Sequence, residues 1–157
     1  MKILAVSSGG GHWVQLKRLR EAFEGHEVVF ASVSPIYRSE VPDHRYLVIR
    51  DATRWNKWGL ALLGLQLLWT IVRERPRVVV STGAAPGFLA IRIARVLRRR
   101  TVWVDSMANV EKLSLSGRMI GPHCDLWLTQ WPELAVPDPE NRRHPEGPEF
   151  AGSVFGT

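Results

Sequence analysis

The fold is decided by residues 1–33, MKILAVSSGGGHWVQLKRLREAFEGHEVVFASV. Residues 3–7 form a short apolar run that stops at the small residues SSGGG, and apolar side chains then recur at the spacing of a helix. Residues 27–33 are apolar and partly alternating, which is typical of a second strand. A strand, a glycine loop, a helix and a second strand make up a βαβ unit, from which parallel sheets are built.

The same alternation continues as far as residue 129. Further strands are predicted at residues 45–49, 77–81, 101–105 and 126–129, and helices at residues 55–72 and 88–97. This pattern indicates an α/β fold, a Rossmann-like parallel sheet with helices on both faces. From residue 132 onward, closely spaced prolines leave no period, so we expect a domain over residues 1–131 and a Pro-rich surface tail over residues 132–157. The apolar residues 150–155 are unusual for a solvated tail.

The composition narrows the possible functions. With 157 residues and 45% hydrophobic content, the chain can form one packed domain but is short for a self-contained two-domain enzyme. A formal net charge of +6 favours anionic partners such as phosphates or an anionic membrane. No nucleic-acid partner is expected, because the arginines cluster at predicted helix ends without a recognisable binding motif. Cys124 is the only cysteine and cannot form an intrachain disulfide, which indicates a reducing compartment.

The first candidate site is the glycine loop that precedes the first predicted helix. Its candidate phosphate-binding residues are Ser8, Gly9, Gly10 and Gly11. Glycines let a backbone approach a ligand closely, and the N-terminus of the next helix offers free N–H groups to an anion. His12 begins that helix and could contact a phosphate, the role we favour, or act as a general base on an acceptor hydroxyl. The alternative is a tight turn with a solvent-facing histidine.

The second candidate site is another small-residue loop, residues 81–87, which also follows a strand and precedes a helix. Its candidate binding residues are Thr82, Gly83, Ala84 and Gly87. Ligands of open α/β sheets bind beyond the carboxyl ends of the strands, so the two loops are expected to face one site. The alternative is ordinary helix capping, with Pro86 in the first turn.

A third candidate lies where the predicted strand 101–105 ends. Asp105 is a candidate for a base or for recognition of a sugar hydroxyl, and Ser106 is a candidate binding residue. The alternative is that Asp105 caps the next helix.

These motifs carry a resemblance that covers nearly the whole chain. The two loops, Gln15-Leu16, Asp105-Ser106, residues 114–118, Asp125 and Gln130-Trp131-Pro132 stand in the order found in the Alg14-like family. That family supplies the membrane-associated, acceptor-binding subunit of split GT-B glycosyltransferases, including bacterial exopolysaccharide relatives. The chain is also distantly similar to the N-terminal half of the N-acetylglucosaminyltransferase that forms lipid II.

The resemblance implies half of an enzyme, equivalent to the N-terminal half of a GT-B glycosyltransferase. An Alg13-like subunit would bind a UDP-sugar, and a hexosyl group would pass to a polyprenyl-diphosphate-linked saccharide in the cleft between the subunits. His12 and Asp105 are the catalytic candidates, no metal or cofactor is expected, and the chain should be inactive without its partner, which the tail is a candidate to contact. The alternative is a non-catalytic subunit that recruits and stabilises the donor-binding subunit at the membrane.

The apolar stretch 55–72 acquires a role from this resemblance. Polar residues interrupt it, and it is short for a membrane span. Its candidate membrane residues are Trp55, Trp58, Leu62 and Trp69, and basic residues stand at its ends, namely Arg54, Lys57, Arg73, Arg75 and Arg77. We therefore expect a peripheral protein at the cytoplasmic face of the cell membrane. A helix buried in the core is the equally weighted alternative.

Overall fold

A computed structural model describes residues 1–53, 55–137, 139 and 144–154 of the chain. The described residues form one parallel sheet of seven strands in the order β3-β2-β1-β4-β5-β6-β7. The strands are β1 Lys2–Val6, β2 Glu27–Ser32, β3 Arg45–Val48, β4 Val78–Ser81, β5 Arg100–Val104, β6 Leu126–Thr129 and β7 Glu149–Phe150. The helices are α1 Gly11–Arg18, α2 Lys57–Glu74, α3 Ala84–Val96 and α4 Leu115–Ile120. The predicted α/β class and the six predicted strands are confirmed.

Helix α3 begins earlier than the sequence predicts. It starts at Ala84 rather than at residue 88, so most of the predicted loop belongs to the helix. Pro86 is compatible with this start, because first-turn N–H groups have no partner inside a helix and proline lacks only that group. Gly83 supplies the turn with a φ of 134°, a conformation that favours glycine.

Helices cover both faces of the sheet. On one face, Trp13 and Leu16 of α1 pack in a core that includes Ile3 and Ala5 of β1. On the other face, α2 and α3 pack over the alternate β1 residues Leu4 and Val6 through their buried side chains Leu63, Leu67, Ile71, Ala90 and Ile91. Burial on both faces explains why the central strand reads as a continuous apolar run.

The strand order changes direction between β1 and β4. Helix α1 leads from β1 toward β2, whereas α3 leads from β4 toward β5 on the opposite face. The two strands pair in parallel with Val6 opposite Ser81, so the loops that follow them lie side by side. A switch point of this kind is where open α/β sheets bind their ligands.

Part of the predicted tail belongs to the sheet. Strand β7 pairs with β6, with Thr129 opposite Phe150. His144 is buried, and its Nε2 atom lies 2.7 Å from the carbonyl oxygen of Cys124. His144 and β7 therefore pack on the domain, because an edge strand offers unpaired backbone groups to the returning chain. Residues 138, 140–143 and 155–157 lie outside the described residues, and contact of this segment with a partner stays a prediction.

Gly87 lets α3 pack closely on β4. A Cβ atom at this position would overlap the hydroxyl oxygen of Ser81, which accepts a hydrogen bond from the Gly83 amide at 3.2 Å. We expect Gly87→Ala to lower the free energy of unfolding by about 1–3 kcal/mol, as overpacking does. Denaturant titration measures this change. Gly64→Ala is the matched control, because a Cβ there meets nothing within 4 Å and alanine favours the helix. Equal stability of the two variants would contradict the close packing.

Candidate functional site

The two predicted loops meet through His12. The Nδ1 atom of His12 lies 2.9 Å from the carbonyl oxygen of Thr82, and the Thr82 hydroxyl donates a hydrogen bond of 2.7 Å to the His12 carbonyl oxygen. Two reciprocal bonds thus join the start of α1 to the end of β4. The expectation that both loops face one site agrees with this contact.

The contact with Thr82 determines which nitrogen of the neutral His12 ring carries the hydrogen. A carbonyl oxygen can only accept a hydrogen bond, so Nδ1 carries the hydrogen and Nε2 keeps a lone pair in the neutral ring. Nε2 has no hydrogen-bond partner among the described residues. It can take a proton from a hydroxyl or, once protonated, donate to a phosphate oxygen. Because His12 is half-buried and bonded to the second loop, it is not the solvent-facing turn residue of the alternative interpretation.

Gly83 provides the surface on which the His12 ring lies. A Cβ atom on Gly83 would come within 2.6 Å of His12 Cε1. The Gly83 amide already donates to Ser81, and Gly87 is buried against the same serine. Gly83 therefore packs against His12, Gly87 shapes the loop through Ser81, and Thr82 is hydrogen-bonded to His12.

The starts of α1 and α3 remain open to an anion. Their N-cap residues are Gly10 and Gly83, and neither helix has a side-chain hydrogen bond to its first turn among the described residues. Apart from Pro86, which has no N–H, the first-turn amides of both helices therefore lack a side-chain partner among the described residues, and each helix start carries the partial positive charge of a helix N-terminus. Ser8, Gly9, Gly11 and Ala84 lie in the same two loops and stay candidates for backbone contacts with a ligand.

Tyr37 lies beside the first loop and was not among the site residues expected from the sequence. Its hydroxyl oxygen accepts a hydrogen bond of 2.9 Å from the Gly10 amide, and its ring stacks on Trp13 at 4.8 Å between centroids. The Trp13 indole N–H donates to Glu40, and the pKa of that carboxyl lies below its ordinary value because Lys17 donates a hydrogen bond to it. The position of Tyr37 just after β2 could have identified it from the sequence, because the carboxyl ends of all the parallel strands meet at this edge of the sheet.

Asp105 occupies a buried position that does not suit a catalytic base. The residue is 1% exposed, and its carboxylate accepts hydrogen bonds from the Trp103 indole, the Ser114 amide at 2.8 Å and the Ser114 hydroxyl. Asp105 thus ties the loop after β5 to Ser114, the N-cap residue of α4. Asp105 therefore acts on the start of α4 through its N-cap residue, which is close to the alternative in which Asp105 itself caps this helix. It positions α4 relative to the loop.

Ser106 is also engaged inside the protein. Its hydroxyl oxygen accepts hydrogen bonds of 3.2 Å from Gln15 Nε2 and from the Ala108 amide. Gln15 Oε1 in turn accepts from Gln130 Nε2 at 2.9 Å, and both glutamines are buried. This network joins α1 to the loops after β5 and β6, and buried polar networks of this kind hold their members rigidly when fully satisfied.

Helix α2 has one buried face and one exposed apolar face. Leu63 and Leu67 are fully buried, whereas Trp58 is 83% exposed and Trp69 is 59% exposed. Trp55 and Leu62 are exposed as well, and the Arg73 guanidinium lies 4.9 Å from the Trp69 ring centroid. One face of the helix is therefore buried in the core, as one interpretation of the sequence expected, and the other face is an exposed apolar surface, as the second interpretation expected. No helix within the described residues is long and apolar enough to cross a membrane, and Arg54 lies outside them.

The hydrogen bonds of Asp105 predict a structural effect. Asp105→Asn places an amide N–H₂ against a Ser114 donor, so we expect the free energy of unfolding to fall by about 1–3 kcal/mol. Thermal or denaturant unfolding measures this loss, with Glu111→Gln as a control at an exposed position of the same loop. A variant of unchanged stability that nevertheless lost all turnover would restore Asp105 as a catalytic residue.

Comparison with known proteins places these features in a family. A family model described as "Oligosaccharide biosynthesis protein Alg14 like" matches residues 60–144, more than half of the chain. A protein of Yarrowia lipolytica named UDP-N-acetylglucosamine transferase subunit ALG14 is 37% identical over 78 residues, 46% of this chain and 36% of the relative. The protein of the same name from Eremothecium gossypii is 42% identical over 66 residues, 38% of this chain and 30% of the relative. The matched segment thus spans about a third of each relative.

Solved structures share the fold at low sequence identity. MurG of Acinetobacter baumannii superposes with a TM-score of 0.69 at 11% identity, covering 87% of this chain and 43% of that one. A UDP-N-acetylglucosamine 2-epimerase of Rickettsia bellii gives a TM-score of 0.66 at 13% identity, with 99% and 45% covered. The chain therefore has the Rossmann-like fold of one half of a GT-B glycosyltransferase, as the sequence predicted.

Proposed function

Because the chain belongs to the Alg14 family, we propose that it is the acceptor-binding, membrane-associated subunit of a two-component glycosyltransferase. The donor is a UDP-sugar, and the acceptor is a saccharide linked to a polyprenyl diphosphate. The observation that carries the proposal is the reciprocal contact of His12 with Thr82 at the switch point, beside two helix N-termini that lack side-chain caps. Such helix ends favour a diphosphate, which is the anionic group of the acceptor.

The reaction requires one proton to move. The acceptor hydroxyl oxygen bonds to the anomeric carbon of the donor sugar, the bond from that carbon to the UDP oxygen breaks, and UDP leaves with the electron pair. The hydroxyl proton must go to a base, and His12 Nε2 is the candidate because its lone pair is free and Nδ1 is held by Thr82. The second candidate role of His12 is to donate from Nε2 to the acceptor diphosphate, which helix N-termini bring close to the same ring.

The donor site is assigned to a second protein, an Alg13-like subunit. The Yarrowia lipolytica and Eremothecium gossypii relatives are each named as a subunit of a UDP-N-acetylglucosamine transferase, and the switch point of the sheet in the described residues is already assigned to the acceptor. A nucleotide sugar would then bind on the facing subunit, and transfer would occur in the cleft between the two. With the donor site on the partner, we expect the chain by itself to transfer no sugar.

Membrane association is assigned to the exposed face of α2. Bulky apolar side chains cover this face, and Lys57 stands at its start while Arg73 and Arg75 stand at its end. Apolar and basic residues on one surface helix are typical of peripheral binding to an anionic bilayer. The acceptor lipid resides in such a bilayer. The same face favours the second candidate function, a non-catalytic subunit that only recruits its partner to the membrane.

Two substitutions of His12 separate chemistry from loop attachment. Asparagine can place its amide nitrogen near the Nδ1 position and keep the bond to Thr82, but it has no counterpart of Nε2. With the donor-binding subunit present, we expect His12→Asn to keep the protein folded and to lower kcat by roughly 10²–10⁴ if Nε2 is the base. A rise in the acceptor KM with kcat preserved would instead assign Nε2 to the diphosphate. Transfer of radiolabelled sugar to the lipid measures both constants.

The control for this experiment is His12→Gln, which places a polar atom near Nε2 but cannot act as a base.

The wild-type chain without its partner subunit should transfer no sugar. If His12→Asn and His12→Gln both leave kcat and KM within about twofold of the wild type, His12 has no role in the reaction, and the recruiting function remains.

A second experiment tests the membrane face. Replacing Trp58, Leu62 and Trp69 with serine removes apolar area from a surface that is already exposed, so the fold should survive. We expect flotation with vesicles of phosphatidylglycerol and phosphatidylcholine to fall at least about tenfold. Ile36→Ser is the control, because Ile36 is 75% exposed on a different segment. Undiminished flotation of a folded triple variant would remove α2 from the membrane contact.

A further inference from the structure

An apolar groove connects the two loops with the exposed face of α2. Its inner part is a cavity of about 550 Å³ beside Ser8 and Ala84, bounded by Phe88 and Met119 among others. Its outer part, about 600 Å³, runs along α2 and α3 past Gly64, Leu65, Leu68 and Ile93. Leu60 and Leu89 line both parts, so the two parts are adjacent. We call this feature the α2–α3 groove.

The α2–α3 groove changes character along its length. Ser8, Ala84 and Ala85 at the inner end belong to the two loops whose helix N-termini favour an anion. The outer part is lined almost entirely by aliphatic residues, and Lys57 is the charged residue among those described there. An occupant that fits both ends is anionic at one end and apolar along the rest.

Charge also sets the direction in which such an occupant lies. Asp51 is the charged residue among the described lining of the inner cavity. Its carboxylate repels a diphosphate from the groove itself, so the anionic group belongs at the helix N-termini and the apolar chain belongs in the groove.

We propose that the α2–α3 groove binds the first isoprene units of the acceptor lipid, next to its diphosphate. This inference rests on the proposed function and deepens it, because the protein would then hold part of the tail outside the bilayer. Leu60 and Leu68 are about 12 Å apart along α2 at the helical rise per residue. A prenyl repeat has four main-chain bonds, one more than an extended residue, and so spans roughly 4–5 Å. The outer part of the groove therefore matches about three repeats.

Prenyl diphosphates of increasing length test the proposal on the full chain. The probes are inorganic diphosphate and the dimethylallyl, geranyl and farnesyl diphosphates, which carry zero to three repeats, at concentrations below micelle formation. We expect calorimetry to show the Kd falling by about tenfold per repeat up to farnesyl, since a groove open on one side buries part of each repeat. Farnesol, which lacks the diphosphate, should bind at least about tenfold more weakly than farnesyl diphosphate.

Gly64→Leu blocks the outer part of the groove without disturbing the fold. A Cβ atom at Gly64 meets nothing within 4 Å, and leucine favours a helix more than glycine does. The variant should bind farnesyl diphosphate at least about tenfold more weakly and dimethylallyl diphosphate as the wild type does. Val72→Leu is the control, because Val72 is exposed on the same helix but does not line the groove.

The outcomes separate this inference from the proposed function. If inorganic diphosphate and all three prenyl diphosphates fail to bind, the proposed acceptor site is wrong, and the proposed prenyl site in the groove is wrong with it. If all diphosphates bind with the same Kd, or Gly64→Leu leaves farnesyl binding unchanged, the groove alone is overturned. If Gly64→Leu instead weakens vesicle flotation while farnesyl binding is unchanged, the groove takes bilayer acyl chains, which also overturns the inference.

Discussion

The parallel pairing of β1 with β4 is the constraint on which the rest of the structure depends. It places Val6 opposite Ser81, so two loops that are far apart in the chain end at the same edge of the sheet. Helices α1 and α3 then leave on opposite faces, and their N-termini stay open between them. The contact between His12 and Thr82 is the local consequence of this pairing, and it joins the two loops at helix starts that have no capping side chain among the described residues.

Buried polar groups hold the rest of the site in place. Gln15 and Gln130 connect α1 with the loop that follows β5, and Asp105 connects the same loop with the start of α4. These groups are satisfied inside the protein, so their contribution is to fix the position of backbone segments around the switch point. In the proposed two-component enzyme, such rigidity would give the partner subunit a defined surface to meet.

Under the proposed function, the exposed face of α2 and the α2–α3 groove both serve a lipid-linked acceptor, which is apolar over most of its length and anionic at one point. Helix α2 packs one apolar face in the core and leaves a second apolar face exposed, and the exposed face is the one proposed to meet a bilayer. The groove leads from that face to the two loops. The proposed binding, membrane and tail sites thus form one continuous surface, with apolar contacts at one end and free helix N–H groups at the other.

The sequence by itself determined six of the seven strands, helices α1 to α3, the α/β class and the family, because hydrophobic periodicity and glycine-rich turns are local properties and the motif order is a property of the whole chain. It also indicated His12 and both loops. Only the tertiary structure decided which residues remain free to act: Asp105, Ser106 and Gly83 were candidates by type, yet each is already engaged with a partner distant in the chain or with a buried hydroxyl. Tyr37, the strand at Glu149–Phe150 and the groove depend on contacts across the sheet, and the hydrogen bonds and packing that create them are not encoded in any single stretch of the chain.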